Sequence, residues 1–363
     1  MRATVVSVVG ARPNFIKLAA VTTYFNSMFN HVIIHTGQHY DYELSKTFFE
    51  SLNIPEPHYF LNIGSGSQGY QVGEGVKRVE EALLKVGPDI VVVYGDTNST
   101  LAGALAAVKA GFKVAHVEAG LRCYDMRMPE EVNRRVVDHV SSYLFAPTRT
   151  AVENLRSEHV LGRVYLTGDV HVDVLRRWVR IADEKSGIVA KLGLRHGEYV
   201  TLTVHRAENT DNEYRLRRIA DIITEVCRLG VKVVFPIHPR TSKALAKLGL
   251  ISELASLNNL VITKPLSYID FIKLLKHSRI VITDSGGVQR EAYLLKVPCL
   301  VLRDRTEWIE LVDEGWVRLV DIDVGKVVRN VKEPVKLVGD GKALGDGRAG
   351  ERIARIIAEE LGC

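Results

Sequence analysis

Three carboxylates stand at or beyond the ends of short apolar runs in the first half of the chain: Asp96 after Ile90-Tyr94, Glu118 after Lys113-His116, and Glu130 farther on. Carboxylates that converge in a partly desolvated site repel one another and spread their pKa values, as paired acid and base work requires. Singly, each has a plainer use, Asp96 as the N-cap of a helix starting at Thr97 and Glu130 as a first-turn partner of a helix dipole. As a set at strand ends they point to proton transfer. In the second half, His205 with Arg206, and His238, follow strand-like runs and add hydrogen-bond donors. The segment from Ile280 to Glu291 reads as strand, glycine turn, helix. Gly286 and Gly287 let the backbone approach a ligand, and the helix start offers free N–H groups and the positive dipole end, a seat for a diphosphate or simply a Ser285 N-cap. Glu291, one turn in, is placed to hold ribose hydroxyls.

Gly10-x-Arg12-Pro13-x-x-x-Lys17 puts two cations at a strand-to-helix turn, where they reach an anionic group or lie on the surface with Pro13 in the first helical turn. Neither the dinucleotide fingerprint nor the Walker loop is present, so NAD and ATP are unsupported and no cofactor is expected. The four cysteines (123, 227, 299 and 363) are far apart, and no His or Cys spacing suggests a metal site.

Positioning these residues requires sheets. Eleven β-branched runs recur: Thr4-Val9, Val32-His35, Ile90-Tyr94, Lys113-His116, Tyr143-Ala146, Val164-Thr167, Tyr199-Val204, Lys232-Ile237, Leu260-Ile262, Ile280-Thr283 and Cys299-Leu302. Helix-period segments such as Thr97-Ala110, Glu130-Ser141 and Glu213-Arg228 separate most of them. That alternation means parallel sheets with crossover helices, an α/β protein. At ~150 residues per domain, 363 residues make about two domains. The break is expected near Gly168 to Val174, giving doubly wound domains over 1–168 and 169–349 that face each other across a cleft. The terminal helix within 350–363 is expected to cross back to the first. Ligands bind beyond the carboxyl ends of such strands, where the residues above lie. The glycine-rich Gly64-Gly75 stretch reads as a mobile loop leading into a helix.

Composition excludes other classes. A 46% hydrophobic, 25% charged chain is not disordered, and a net charge of +5 scattered without blocks favours a small anionic ligand over nucleic acid. No apolar run approaches the ~18 residues of a membrane span, and the start lacks a signal h-region, so a cytoplasmic protein with no membrane partner is expected.

The order of motifs resembles the non-hydrolysing UDP-N-acetylglucosamine 2-epimerase family: Gly10 to Lys17, Gln38-His39, Gly95-Asp96-Thr97, His116 to Arg122 (HVEAGLR), Pro129 to Arg134 (PEEVNR), Thr203 to Arg206, Asp284 to Gln289, and Gly345 to Ala349. The resemblance spans nearly the whole chain. It implies the two-domain GT-B architecture, a homodimer, a UDP-sugar substrate and interconversion of UDP-GlcNAc and UDP-ManNAc without a redox cofactor. The C2 proton is not acidic, because no carbonyl neighbours it, so the implied route eliminates UDP to 2-acetamidoglucal and adds it back with protonation on the opposite face. The resemblance implies Asp96, Glu118 and Glu130 as the acid/base set, with the two faces unassigned. It gives Arg12, Arg134, His205 and the Ser285-Gly286 amides to the diphosphate, with Gly287 and His238 as further substrate-binding residues. Glu291 goes to the ribose, Phe271 near the uracil, and Lys17 to the support of the carboxylates.

Two segments depart from the family pattern. Members activated by UDP-GlcNAc carry Q-H-x-Q and a later R-Q pair, whereas this chain has Gln38-His39-Tyr40-Asp41 and Ser67-Gln68. Hyperbolic kinetics are therefore expected. Thr306-Glu307-Trp308-Ile309-Glu310 replaces T-E-R-P-E and is similar to relatives that epimerise UDP-2,3-diacetamido-2,3-dideoxyglucuronate, which leaves that sugar as the alternative substrate. The extra cations Arg290 and Arg305 fit a more acidic sugar or a solvated surface, the second being expected. A GT-B glycosyltransferase, a hydrolysing epimerase and a non-catalytic UDP-sugar sensor share the fold, and the carboxylate trio argues against the first and last.

Overall fold

The computed structural model describes residues 2–37, 49, 52, 54–333 and 337–363, the side chain of Arg12 excepted. The chain divides into two compact units, one formed by Met1–Val174 with Leu344–Cys363 and the other by Leu175–Ala343. The final helix, Ala349–Leu361, therefore belongs with the first unit, where Asp173 accepts hydrogen bonds from the N–H groups of Ala349 and Gly350 at 3.2 and 2.9 Å.

The first unit is a seven-stranded parallel sheet of β1 (Thr4–Val9), β2 (Asn30–His35), β3 (Tyr59–Phe60), β4 (Ile90–Tyr94), β5 (Val114–Val117), β6 (Tyr143–Ala146) and β7 (Arg163–Leu166), in the order β3-β2-β1-β4-β5-β6-β7. Its central strands are valine and isoleucine runs with no polar alternation, TVVSVV and IVVVY, because helices cover both faces and every side chain but that of Thr4 is buried. Strand order reverses between β1 and β4, which pair in register from Val5 opposite Ile90 to Val8 opposite Val93. The loops after these two strands diverge and leave a crevice at their carboxyl ends. Into it run Gly10-Ala11 and Gly95-Asp96.

The second unit repeats this plan with six parallel strands, β8 (Tyr199–Thr203), β9 (Lys232–Pro236), β10 (Leu260–Thr263), β11 (Ile280–Thr283), β12 (Cys299–Val301) and β13 (Val317–Leu319), ordered β10-β9-β8-β11-β12-β13. Here the reversal falls between β8 and β11, whose carboxyl ends lead into His205 and into Asp284-Ser285-Gly286. Two Rossmann-like units in one chain are the make-up of the GT-B class.

The expected eleven strands become thirteen among the described residues. The two additions, β3 and β13, are two and three residues long and lie at sheet edges, where neither length nor a buried face produces a sequence pattern. The Gly64-Gly75 loop is shorter than expected, since a helix begins at Gln68 with the Ser67 hydroxyl accepting the Tyr70 N–H. Gly75 is inside that helix for a packing reason: a Cβ there would stand 2.7 Å from the Cβ of Ala102 on the neighbouring helix Asn98–Lys109. No helix among the described residues is long and apolar enough to cross a membrane.

Candidate active site

In the first unit, β4 and β5 run side by side with Tyr94 opposite Val117, and the Gly95 N–H donates to the Val117 carbonyl at 2.9 Å. Asp96 and Glu118 thus leave neighbouring strand ends. Glu118 holds a left-handed backbone, φ 73°, unusual for a residue with a side chain and a form of strain that gathers at functional positions. The buried Lys17 ammonium, carried by the first helix Arg12–Met28, lies 3.3 Å from the Glu118 carboxylate. Gly95 makes this approach possible, because with φ 66° and no side chain it leaves the space where a Cβ would come within 2.9 Å of Lys17 Nζ.

Asp96 is not a helix cap. Thr97 takes that role, its hydroxyl accepting from Thr100 N–H, and Asp96 Oδ2 instead accepts from Arg134 Nε at 3.0 Å and Nη2 at 2.7 Å. Arg134 also pairs with Glu131, at 2.9 Å, so its guanidinium bridges two carboxylates. Glu130 stands half-buried in the first turn of the helix Pro129–Val140. That helix is tied to the strand-end loop a second time, by Asn133 Nδ2 donating to the Asp96 carbonyl at 2.8 Å. The three carboxylates therefore sit on segments that hydrogen-bond directly to one another.

Asn14 binds the two switch-point loops together. Its Oδ1 accepts from the N–H groups of Gly10 and Ala11 at 3.2 and 3.1 Å and from the Thr97 hydroxyl at 3.1 Å, while Nδ2 donates to the Tyr94 carbonyl at 2.7 Å. Arg12 begins the helix that contains Asn14, and its side chain lies outside the described residues, as does the Gln38-His39-Tyr40-Asp41 motif.

In the second unit, the fully buried Asp284 organises the β8 and β11 ends. Its carboxylate accepts from the N–H groups of His205 (3.1 Å) and Arg206 (2.9 Å) and from Asn209 Nδ2 (3.0 Å), and it lies 3.3 Å from His205 Nδ1. Burial alone would push the Asp284 carboxyl up, but His205 and these donors more than reverse it and hold it below the ordinary carboxylate range. The His205 ring is 5.8 Å from that of His238, whose Nδ1 accepts from Arg240 N–H and caps the helix Pro239–Lys247. Ser285 caps the helix Gly286–Leu294 through Val288 N–H, so the ordinary reading of that serine holds and the remaining first-turn N–H groups are those of Gly286 and Gly287. Glu291 is buried one turn in, and Phe271 is half-buried in the first turn of Tyr268–Lys276.

Nearby, Arg303 is buried against Glu208 at 2.7 Å and Glu307 at 3.3 Å, and the Arg290 guanidinium lies over the Trp308 ring at 4.4 Å. The expectation of a solvated Arg290 is corrected: it is 6% exposed, because the indole covers it. Arg305 keeps to half-exposed surface beside Asp304. Among the described residues no group of three or more His, Cys, Asp or Glu is placed to hold a metal ion.

Several supporting residues escaped the sequence reading, namely Asn14, His116, Asp138, Glu131 and Asp284. All but Asp138 lie inside the quoted motifs, yet their types gave no hint of which atom they would meet.

A family model described as UDP-N-acetylglucosamine 2-epimerase matches residues 24–358. The chain is 48% identical over 330 residues to a UDP-N-acetylglucosamine 2-epimerase homolog of Methanococcus maripaludis, covering 91% of this chain and 92% of that one. It is 40% identical to the UDP-2,3-diacetamido-2,3-dideoxy-D-glucuronate 2-epimerase of Pseudomonas aeruginosa, covering 98% and 99%. Among solved structures it resembles the Methanocaldococcus jannaschii UDP-GlcNAc 2-epimerase in complex with UDP-GlcNAc and UDP, with a TM-score of 0.90 at 42% identity and coverage of 98% and 99%.

Proposed function

The chain belongs to the UDP-N-acetylglucosamine 2-epimerase family, and we propose that it interconverts UDP-GlcNAc and UDP-ManNAc by elimination and re-addition of UDP. The observation that carries this reading is the joining of Asp96, Glu118 and Glu130 by direct hydrogen bonds between their segments, with the Lys17 ammonium and the Arg134 guanidinium against two of them. Proton removal at C2 needs a base on one face and an acid on the other, and two carboxylates in unlike settings supply that pair. Glu118 is buried beside an ammonium, whereas Glu130 is half-buried on a helix.

The leaving diphosphate is taken by the second unit. The Gly286 and Gly287 N–H groups at the start of a nine-residue helix carry the positive dipole end, and His205, oriented by Asp284, adds a donor. His238 assists there, Glu291 holds the ribose and Phe271 the uracil side. The protein acts as a cytoplasmic homodimer in this reading, which sedimentation of the purified protein checks.

A second substrate has support of its own. The Thr306-Glu307-Trp308-Ile309-Glu310 segment holds Trp308 against Arg290, and the Pseudomonas aeruginosa relative is named for a diacetamido-glucuronate. NMR of the protein with UDP-GlcNAc in D2O tests the first reading. Deuterium at C2 with UDP-ManNAc appearing, both lost in Asp96→Asn, supports it. UDP binding without exchange sinks it and turns the test to the diacetamido-uronate.

A further inference from the structure

The ion pairs of the first unit close into a ring. From Asp96 the contacts run to Arg134 (2.7 Å), Glu131 (2.9 Å), Arg135 (3.3 Å), Glu158 (3.1 Å), Arg122 (2.7 Å), Asp138 (2.7 Å) and His116 (2.7 Å). The other nitrogen of His116 meets the carbonyl of Gly95 at 2.7 Å, and Gly95 is peptide-bonded to Asp96. Anion and cation alternate at every step up to the imidazole.

We propose that His116 is a buried imidazolium, protonated at both ring nitrogens, which closes this ring and holds the Gly95-Asp96 turn in place. The hydrogen-bond geometry requires it. Nε2 faces a carbonyl oxygen, which only accepts, so Nε2 carries a proton. Nδ1 faces Asp138 Oδ1, and an ionised carboxylate only accepts as well. Asp138 is ionised, because its Oδ2 takes Arg122 Nη1 at 2.7 Å and the Gly120 N–H at 3.0 Å. Burial alone would raise its carboxyl, and His116 and Arg122 reverse that and hold it low. Charge balance gives the same answer. Asp96, Glu131, Glu158 and Asp138 carry four negative charges, Arg134, Arg135 and Arg122 only three positive, and His116, Asp138 and Arg122 show no side-chain exposure. The surplus negative charge arises among the partly exposed members Asp96, Glu158 and Arg135, and a proton on His116 offsets it from the buried side of the ring. On the flanking strands His116 sits between the apolar Val93 and Leu144, while outside the ring the Lys17 ammonium stands beside the Gly95 turn and His139 acts on Glu158.

The consequence for chemistry rests on the function proposed above, whereas the protonation state does not. Both ends of the ring land on one turn, the imidazolium on the Gly95 carbonyl and Arg134 on the Asp96 carboxylate. His116 and Asp138 are thus positioning residues that fix where Asp96 points while touching no substrate.

Neutron diffraction from deuterium-exchanged crystals of the intact protein reads the state directly. Deuterons on both His116 nitrogens are expected at neutral pH, and a single deuteron overturns the proposal. Asp138→Asn should lose the Nδ1 deuteron, and kcat for UDP-GlcNAc should fall about 10–100-fold with KM nearly unchanged, as for a displaced catalytic group. If the variant keeps full kcat, or raises KM alone, the positioning role is wrong even where both deuterons are seen. If the variant does not fold, the wild-type neutron map still decides the protonation state. A protein with both deuterons but no epimerase activity on any UDP-sugar would sink the functional reading and leave the ring standing.

Discussion

Asp284→Asn removes the group that organises the β8 and β11 ends, and its cost follows from the contacts. The carboxylate, itself fully buried, accepts from two backbone N–H groups and one side-chain amide and faces the His205 ring, which is open to solvent on its outer side. Asparagine retains one acceptor oxygen and turns an NH2 group toward donors, so at least one buried N–H loses its partner and the His205 contact loses its charge. Hydrogen bonds to a charged acceptor contribute about 1.5–3 kcal/mol each, so one or two of them weakened at a buried carboxylate set the cost, and the solvent-open contact with His205 adds little. A loss of at least about 1.5 kcal/mol in the second unit is therefore expected. For a domain of this size each kcal/mol moves Tm by about 2–4 °C, so calorimetry should show that unit melting at least about 3 °C lower. Isothermal titration with UDP should show weaker binding at a temperature where the variant is still folded. A Tm within about 2 °C of wild type, with UDP affinity unchanged, would refute the claim that this carboxylate holds the loop. The contribution is pH-dependent in a defined direction. Because the folded carboxyl is held low, the stabilisation is present above the ordinary value of 3.8 and disappears as pH falls through the folded value.

Asp173 has the opposite sign. Burial raises its carboxyl to about 6 despite the N–H bonds from Gly350 and Ala349, so the folded state favours the protonated form. Its stabilisation is present below 3.8 and is lost as pH rises through about 6, amounting to about 3 kcal/mol. Urea titrations from pH 4 to 7 should show wild type losing about that much more stability than Asp173→Asn, and parallel curves would refute this. Gly75→Ala should destabilise by about 1–3 kcal/mol although alanine favours helix, since its Cβ meets that of Ala102; equal or higher stability in urea would show that the two helices part freely. Initial rates with UDP-ManNAc should be hyperbolic, because the Gln68 amide oxygen is already engaged by Asn98 Nδ2 at 2.6 Å. A sigmoidal curve that UDP-GlcNAc restores to hyperbolic would show a working activator site.

The chain's own pattern determined the architecture. Uninterrupted valine and isoleucine runs such as Ile90-Val93 can be satisfied only by a strand buried on both faces, and such strands alternating with helices leave little choice but parallel, doubly wound sheets. It also determined where to look, since ligand loops must follow the carboxyl ends of strands, and Asp96, Glu118, His205 and Ser285 all do. Partnership was a different matter. Nothing in residue type says that Arg134 would lie between Asp96 and Glu131, or that Arg290 would be covered by Trp308, which is eighteen positions away. Those pairings depend on which strand stands beside which and on how far each helix advances before it turns back. The ring from Asp96 to His116 is the clearest instance. Its members span residues 96 to 158, and only the adjacency of β4, β5 and β6 brings them within hydrogen-bonding distance, so that a histidine unremarkable in the sequence becomes the group on which their charges balance.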